Sequence, residues 1–298
     1  MLRLPYRRKR RRRMVNEVPK RSTTRRLITG LAAVLALYLL TAYAVLPALW
    51  YDYEHQPGLA GRTMVTATAQ GIPGDPLNVG VVGSKAQVVY AFTLAGWKPA
   101  DAITLRSSVE IGLSVVLDRP YSDAPVSSLY LDGRRQDLAF ELPVGASADR
   151  RHHVRLWHIL DKGVESHGVW LGAASFDRSA GLSHDTLQIT HHIDPDLDHD
   201  RDFVIASLSK MGAVSQTYQV TGTGPTLNGR NGEGDPYYTD GEITIAVLDP
   251  TLDPKAPPAK AVTPEQKIST TQAIKHRIWK VVLMVARRVG WVPQRGQE

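Results

Sequence analysis

The chain has 298 residues, 43% hydrophobic and 22% charged, a balance that belongs to folded domains and excludes wholesale disorder. It contains no Cys, which excludes disulfides, thiolate metal sites and Cys nucleophiles together. Its formal charge of +7 is unevenly placed: residues 1–26 carry twelve Lys/Arg against one Glu, residues 51–254 carry 15 basic against 26 acidic residues, and residues 255–298 carry nine against two. The globular stretch is therefore acidic, and nucleic acid is not expected as a partner, because backbone binding relies on Lys/Arg neutralising phosphates.

Residues 1–26 read as a basic cytoplasmic tail and Leu27–Trp50, 24 residues without a charge, as a transmembrane helix. A helix of that length covers about 36 Å, enough to cross a hydrocarbon core. The run Arg7–Arg13 precedes it and Asp52 and Glu54 follow, so the N-terminus is expected inside the cell and the body outside. Trp50, Tyr51 and Tyr53 fit an interfacial aromatic belt. Two other readings remain open: a cleaved signal, for which Ala42-Tyr43-Ala44 supplies a site, and a loose twin-arginine signal at Thr24–Ile28. The length of the apolar run favours an uncleaved signal-anchor, with the bilayer itself as first partner.

Residues 51–249 read as one α+β body with a mostly antiparallel sheet of about seven strands and about three helices. Strands are expected near Met64–Ala69, Asn78–Val82, Val126–Leu131, Gln136–Leu142, His152–Ile159, Val169–Ser175, Thr186–Ile193, Val214–Val220 and Glu242–Leu248. Asp132-Gly133 is a hairpin cue between two of them. The helices are expected from Ser84 as N-cap to Gly96, within Ile103–Leu117, and around Phe203–Met211 closed by Gly212. Gly222 to Gly241 reads as a Gly- and Asn-rich loop. A Pro-rich linker over 250–263 leads to a helix over 264–289, opened by the capping box Thr263-Pro264-Glu265-Gln266. That helix is amphipathic: Ile278, Val281, Val282, Val285 and Val289 share a stripe, and Arg277, Lys280, Arg287 and Arg288 fall elsewhere. It is expected either to lie on anionic lipid or to pack its stripe on the body.

Eight of the ten His lie between residues 152 and 199, in two notable segments. On a strand, Arg151, His153, Arg155 and Trp157 share one face. Two cations, an imidazole and an indole in line can grip phosphate or carboxylate; alternatively the arginines pair with carboxylates of the body. The second segment, His191–Asp202, sets two His before five alternating Asp. His191, His192, Asp194, Asp196 and Asp198 are candidate ligands for a divalent metal, the one cofactor considered; the competing reading is helix initiation, with Asp residues capping the third helix. No Gly-x-Ser-x-Gly, Walker or His-Glu-x-x-His motif occurs.

Several stretches in order resemble the LssY C-terminal domain family: Ala95-Gly96-Trp97, Leu129–Glu141, Arg151–Trp157, Val169–Asp177 and His191–Asp194 on to Arg201-Asp202, spanning about residues 75–220. The resemblance implies a bacterial membrane setting, where such domains adjoin multi-span regions similar to DedA transporters or lipid phosphatases. Those regions are absent here, and the resemblance carries no catalytic residues over. The expected function is a membrane-anchored envelope protein with an outward binding or accessory domain. An anionic head group or an envelope protein held by Arg151, His153 and Arg155 is its expected ligand. A rival is a phosphate-ester hydrolase in which His153 or His192 acts as nucleophile or acid–base, with Asp194 orienting the base or holding metal. A third reading is purely structural. The hydrolase requires His153, His192 and both arginines to face one pocket.

Overall fold

The computed structural model describes residues 23–50, 56–101, 104–106, 128–145, 150–182, 189–255 and 263–293. Most of the basic tail, the side chains of the expected aromatic belt, most of the expected helix Ile103–Leu117 and part of the Pro-rich linker lie outside them. Two compact units result, divided between Pro47 and Ala48.

In the first unit, helix α1 (Thr23–Leu40) runs through a π-turn (Thr41–Val45) into α2 (Leu46–Trp50). Leu, Val, Ile and Tyr side chains stand exposed all along it, and none of α1 is buried. The continuous segment Thr23–Ala48 is long and apolar enough to cross a bilayer, a property shared by membrane anchors and signal sequences.

The body is α+β, with mostly antiparallel pairing. Its main sheet has nine strands. In spatial order the path runs β15 (Glu265–Gln266), β11 (Val214–Thr221), β14 (Glu242–Leu248), β3 (Val79–Val82), β9 (Val169–Leu182), β8 (Arg151–Leu160), β7 (Leu138–Pro143) and β4 (Lys98–Pro99). Strand β10 (Ile189–Ile193) pairs with the far end of β9. Alternation sorts the side chains. Val79, Val81, Val154 and Leu156 join one core with α3 (Lys85–Leu94) and α4 (Leu197–Lys210). Trp157, Leu171, Ala173, Val220 and Ile243 join a second core on the opposite face. That face is covered by Leu59, Met64 and a small sheet of β2 (Pro73–Pro76), β1 (Val65–Ala67), β5 (Tyr130–Leu131) and β6 (Arg134–Arg135).

Local signals explain much of this. Ser84 caps α3 through a reciprocal box with Gln87. Asp132 and Gly133 both take positive φ, which a tight two-residue hairpin turn requires. Asp196 caps α4, accepting from the His199 N–H.

Three expectations need correction. The described residues form fifteen strands in three sheets, where one sheet of about seven was expected; most of the additional strands are segments of two to four residues, too short to show alternation. The stretch Gly222–Gly241 is a hairpin, β12 (Thr226–Arg230) with β13 (Pro236–Thr239), and not a free loop. The C-terminal helix α5 (Thr270–Arg288) starts six residues later than expected. Glu265 and Gln266 pair with β11, and Ser269 with Gln272 forms the capping box.

Candidate functional site

The Arg/His strand comes first. Register places Arg151 opposite Asp177, His153 opposite Ser175 and Arg155 opposite Ala173. All three side chains, and Trp157, are buried. Arg151 donates from Nε to Asp177 Oδ2 at 3.2 Å and from Nη1 to Glu141 Oε2 at 3.0 Å. His153 Nε2 meets Asp177 Oδ1 at 2.8 Å, and Arg155 Nη1 meets His153 Nδ1 at 3.1 Å. Arg155 also lies 3.6 Å from Asp75 Oδ2 on β2. Among the described residues two guanidinium groups thus face three carboxylates, which leaves no positive surplus to attract an anion. Burial pulls the Arg155 pKa down, partly offset by Asp75 and Asp177. Burial pushes Asp177 upward, but the hydrogen bond from His153 Nε2 and the Arg151 guanidinium outweigh it and hold this carboxyl at about 2. Trp157 donates its indole N–H to the Arg134 carbonyl and belongs to the second core.

The network also fixes a proton. A guanidinium can only donate, so His153 Nδ1 accepts and Nε2 carries the hydrogen toward Asp177. Ser175 Oγ lies 3.1 Å from the same Nε2. That nitrogen has no lone pair left to take the Ser175 proton, so the trio is not a nucleophile–base relay.

The His/Asp segment is dispersed. His192 Nδ1 pairs with Asp235 Oδ1 at 2.7 Å, and Asp235 Oδ2 also accepts the Ile193 N–H. Gly181 makes room for that ring, since a Cβ there would collide with His192 Nε2. Asp194 is buried and accepts the Asp196 N–H; Asp196 caps α4 and meets Arg287. Asp198 turns toward Thr239 and Trp279. His191 sits on β10 opposite Ala180. Among the described residues no three His, Asp or Glu side chains converge on a metal position. The expected ligands diverge because successive residues on β10 point to opposite faces, and residues two apart at the start of α4 point to different sides of the helix.

The concave site lies elsewhere. A cavity of about 450 Å³ opens between the start of α4, β11 and α5. Asp198 forms part of its wall. Its carboxylate accepts from Thr239 Oγ1 at 2.7 Å, from the Asp240 N–H at 3.0 Å and from Trp279 Nε1 at 3.1 Å. Burial, then the nearby Asp240 charge, lift its pKa to about 7 against the pull of Arg201. Arg201 is buried and donates to Asp240 Oδ1 at 2.6 Å. Behind this wall Lys275 Nζ meets Glu242 Oε1 at 3.1 Å, and burial raises Glu242 to about 7 despite that ammonium. His276 bonds Gln219 Oε1 at 2.6 Å, and burial lowers its pKa. The wall offers the Arg201–Asp198–Asp240 cluster, the ammonium groups of Lys267 and Lys280, amide and hydroxyl groups, and an indole.

A family model described as LssY C-terminus matches residues 54–243, more than half of the chain. The chain belongs to this family. Neither a curated protein nor a solved structure matches it. The LssY C-terminus match contains the whole Arg151–Asp177 network and the Asp198–Arg201–Asp240 wall. It ends before α5, so Gln272, His276 and Trp279 close the cavity from outside the family region.

Sequence reasoning put Asp198 among metal ligands and passed over Arg201, Asp240, Glu242, Lys275 and Trp279. Nothing local marked these five, since 41 residues separate Arg201 from Glu242 and 81 separate Asp198 from Trp279. One signal was readable: a Lys and a Trp at i and i+4 along one edge of the valine stripe of α5.

Proposed function

We propose that this LssY C-terminus protein is a single-pass, membrane-anchored envelope protein, N-terminus cytoplasmic, whose outward body is a binding module. Its ligand site is the cavity beneath α5, and its ligand is a small, uncharged, hydroxyl-rich group such as a sugar ring. The observation that carries this reading is the Asp198 wall: a partly buried carboxyl, held by Thr239, the Asp240 N–H and an indole and raised to about 7, in a cavity of ligand size. The lining sets Asp196, Asp198, Asp202 and Asp240 against Arg201, Lys267 and Lys280, which leaves little net attraction for phosphate, while Gln219, Gln266, Thr217 and Thr244 supply neutral donors and acceptors. The Arg/His strand supports stability on this reading. Neither His153 nor His192 lines the cavity, so the geometry gives no support to the phosphate-ester hydrolase.

The test is calorimetric titration of the full-length protein in detergent with maltose and, separately, with glycerol 3-phosphate. Saturable maltose binding that weakens at least tenfold in Lys280→Glu or His276→Ala is expected. Binding of glycerol 3-phosphate alone, or of neither compound, contradicts the proposal.

A further inference from the structure

Helix α5 sits on the body inside out. Its inward side is polar and fastened by specific bonds. Gln272 Nε2 donates to the Gln219 carbonyl at 2.5 Å, Lys275 Nζ donates to Thr221 Oγ1 and Glu242 Oε1 at 3.1 Å each, and Trp279 donates to Asp198. Its apolar stripe points the other way. Lys275 is 3% exposed, whereas Val281 is 57% and Val285 47% exposed. Ile274, Met284, Val289 and Trp291 are exposed as well.

The orientation is locked. Rotating α5 to bury its valines would pull Lys275 from Glu242 and leave two buried charges unpaired, a heavier penalty than exposing the stripe. A contiguous apolar face of several turns on a folded surface marks an interaction site. Charge then selects the occupant. The helix carries five Lys/Arg and no Asp or Glu, and at 100° per residue Arg277 and Arg288 fall along one edge of the stripe. A second copy would bring two cationic helices face to face, which opposes pairing. An anionic bilayer satisfies both features: valines enter the acyl boundary, while arginine stems snorkel to head groups. Trp291, 70% exposed just past the helix, suits the interfacial layer.

We infer that the outward face of α5 is a docking surface for an anionic lipid bilayer, a second attachment beside the N-terminal helix. The inference does not depend on the ligand of the cavity, and its test involves no sugar.

Because the chain has no Cys, Val285→Cys carries a single polarity-sensitive dye. Full-length protein is reconstituted in phosphatidylcholine vesicles with and without phosphatidylglycerol, containing lipids with spin-labelled acyl chains as quenchers. A dye at Lys98→Cys, on the opposite edge strand β4, is the reference. Expected is strong quenching at position 285 in the anionic vesicles and little at 98. Arg277→Glu with Arg288→Glu, which touches none of the inward bonds, should weaken the effect about tenfold. A dye at 285 as wet as that at 98 in anionic vesicles overturns the docking. So does air oxidation of the unlabelled Val285→Cys protein to a disulfide-linked dimer while the labelled protein shows no quenching, which would assign the face to a second copy. Equal quenching with and without phosphatidylglycerol overturns the head-group charge as the selecting feature.

Discussion

Replacing Asp177 by Asn keeps the size of the side chain and removes the charge that Arg151 and His153 share. The consequence can be worked in two ways. Asp177 sits at about 2 in the fold against an ordinary 3.8, and that difference alone is about 2 kcal/mol of stability at neutral pH. The substitution also turns an amide N–H₂ toward groups that themselves donate, and breaking a buried ion pair by removing one partner costs about 3–5 kcal/mol. A loss between these bounds is a large part of the roughly 5–15 kcal/mol typical of a folded domain. The assay is urea unfolding followed by tryptophan fluorescence, for which Trp157 on the paired strand β8 is a buried reporter. The sign with pH is fixed. A depressed carboxyl contributes stability fully present above about pH 4, and this is lost as pH falls through 2. The wild type should therefore weaken over that window, and the variant should lack that component. A loss below about 1 kcal/mol at pH 7 with an unchanged acid limb would show that solvent reaches this network, and the internal neutralisation argued for the Arg/His strand would be wrong.

Glu242 behaves oppositely: raised from 4.5 to about 7, its protonated form is favoured in the fold. The associated stability is present below about pH 4.5 and lost as pH rises through 7, on the order of 3 kcal/mol, so Glu242→Gln should flatten the wild-type decline in melting temperature between pH 5 and 8. Lys275→Met should destabilise the body by about 3–5 kcal/mol in chemical denaturation, and adding Glu242→Leu should restore most of it, because removing both buried charges avoids the unpaired one. Magnesium, manganese and zinc should neither raise the melting temperature nor survive dialysis in elemental analysis, since the candidate ligands are dispersed. Protease added outside intact cells with a permeable outer envelope should digest the body; protection until the inner membrane is breached would reverse the proposed orientation.

Legibility followed the range of the interactions. Ser84 with Gln87, Asp132-Gly133 and Asp196 as a cap act within four residues, and the chain showed each directly. Alternation placed Arg151, His153, Arg155 and Trp157 on one face, and that is the face the small sheet covers. Alternation alone carries no information about cover. Asp75 reaches Arg155 from Pro73–Pro76, a stretch whose two prolines read as irregular chain. The His/Asp segment looked like a ligand set because spacing along the chain was visible, whereas divergence of side chains at the strand-to-helix junction was not. Helix α5 was recognised as amphipathic, but hydrophobicity was the wrong guide to its inner face. Lys275, Gln272 and Trp279 face buried hydrogen-bonding partners more than 30 residues away, and those partners set the orientation.

Hydrogen exchange of the full-length protein in anionic nanodiscs, with and without saturating maltose, tests the cavity most directly. Added protection is predicted in α5 around His276–Trp279, in β11 around Gln219 and at the start of α4, with β8 from Arg151 to Trp157 unchanged. Protection confined to β8, or produced only by glycerol 3-phosphate, would return recognition to the Arg/His strand and contradict the account.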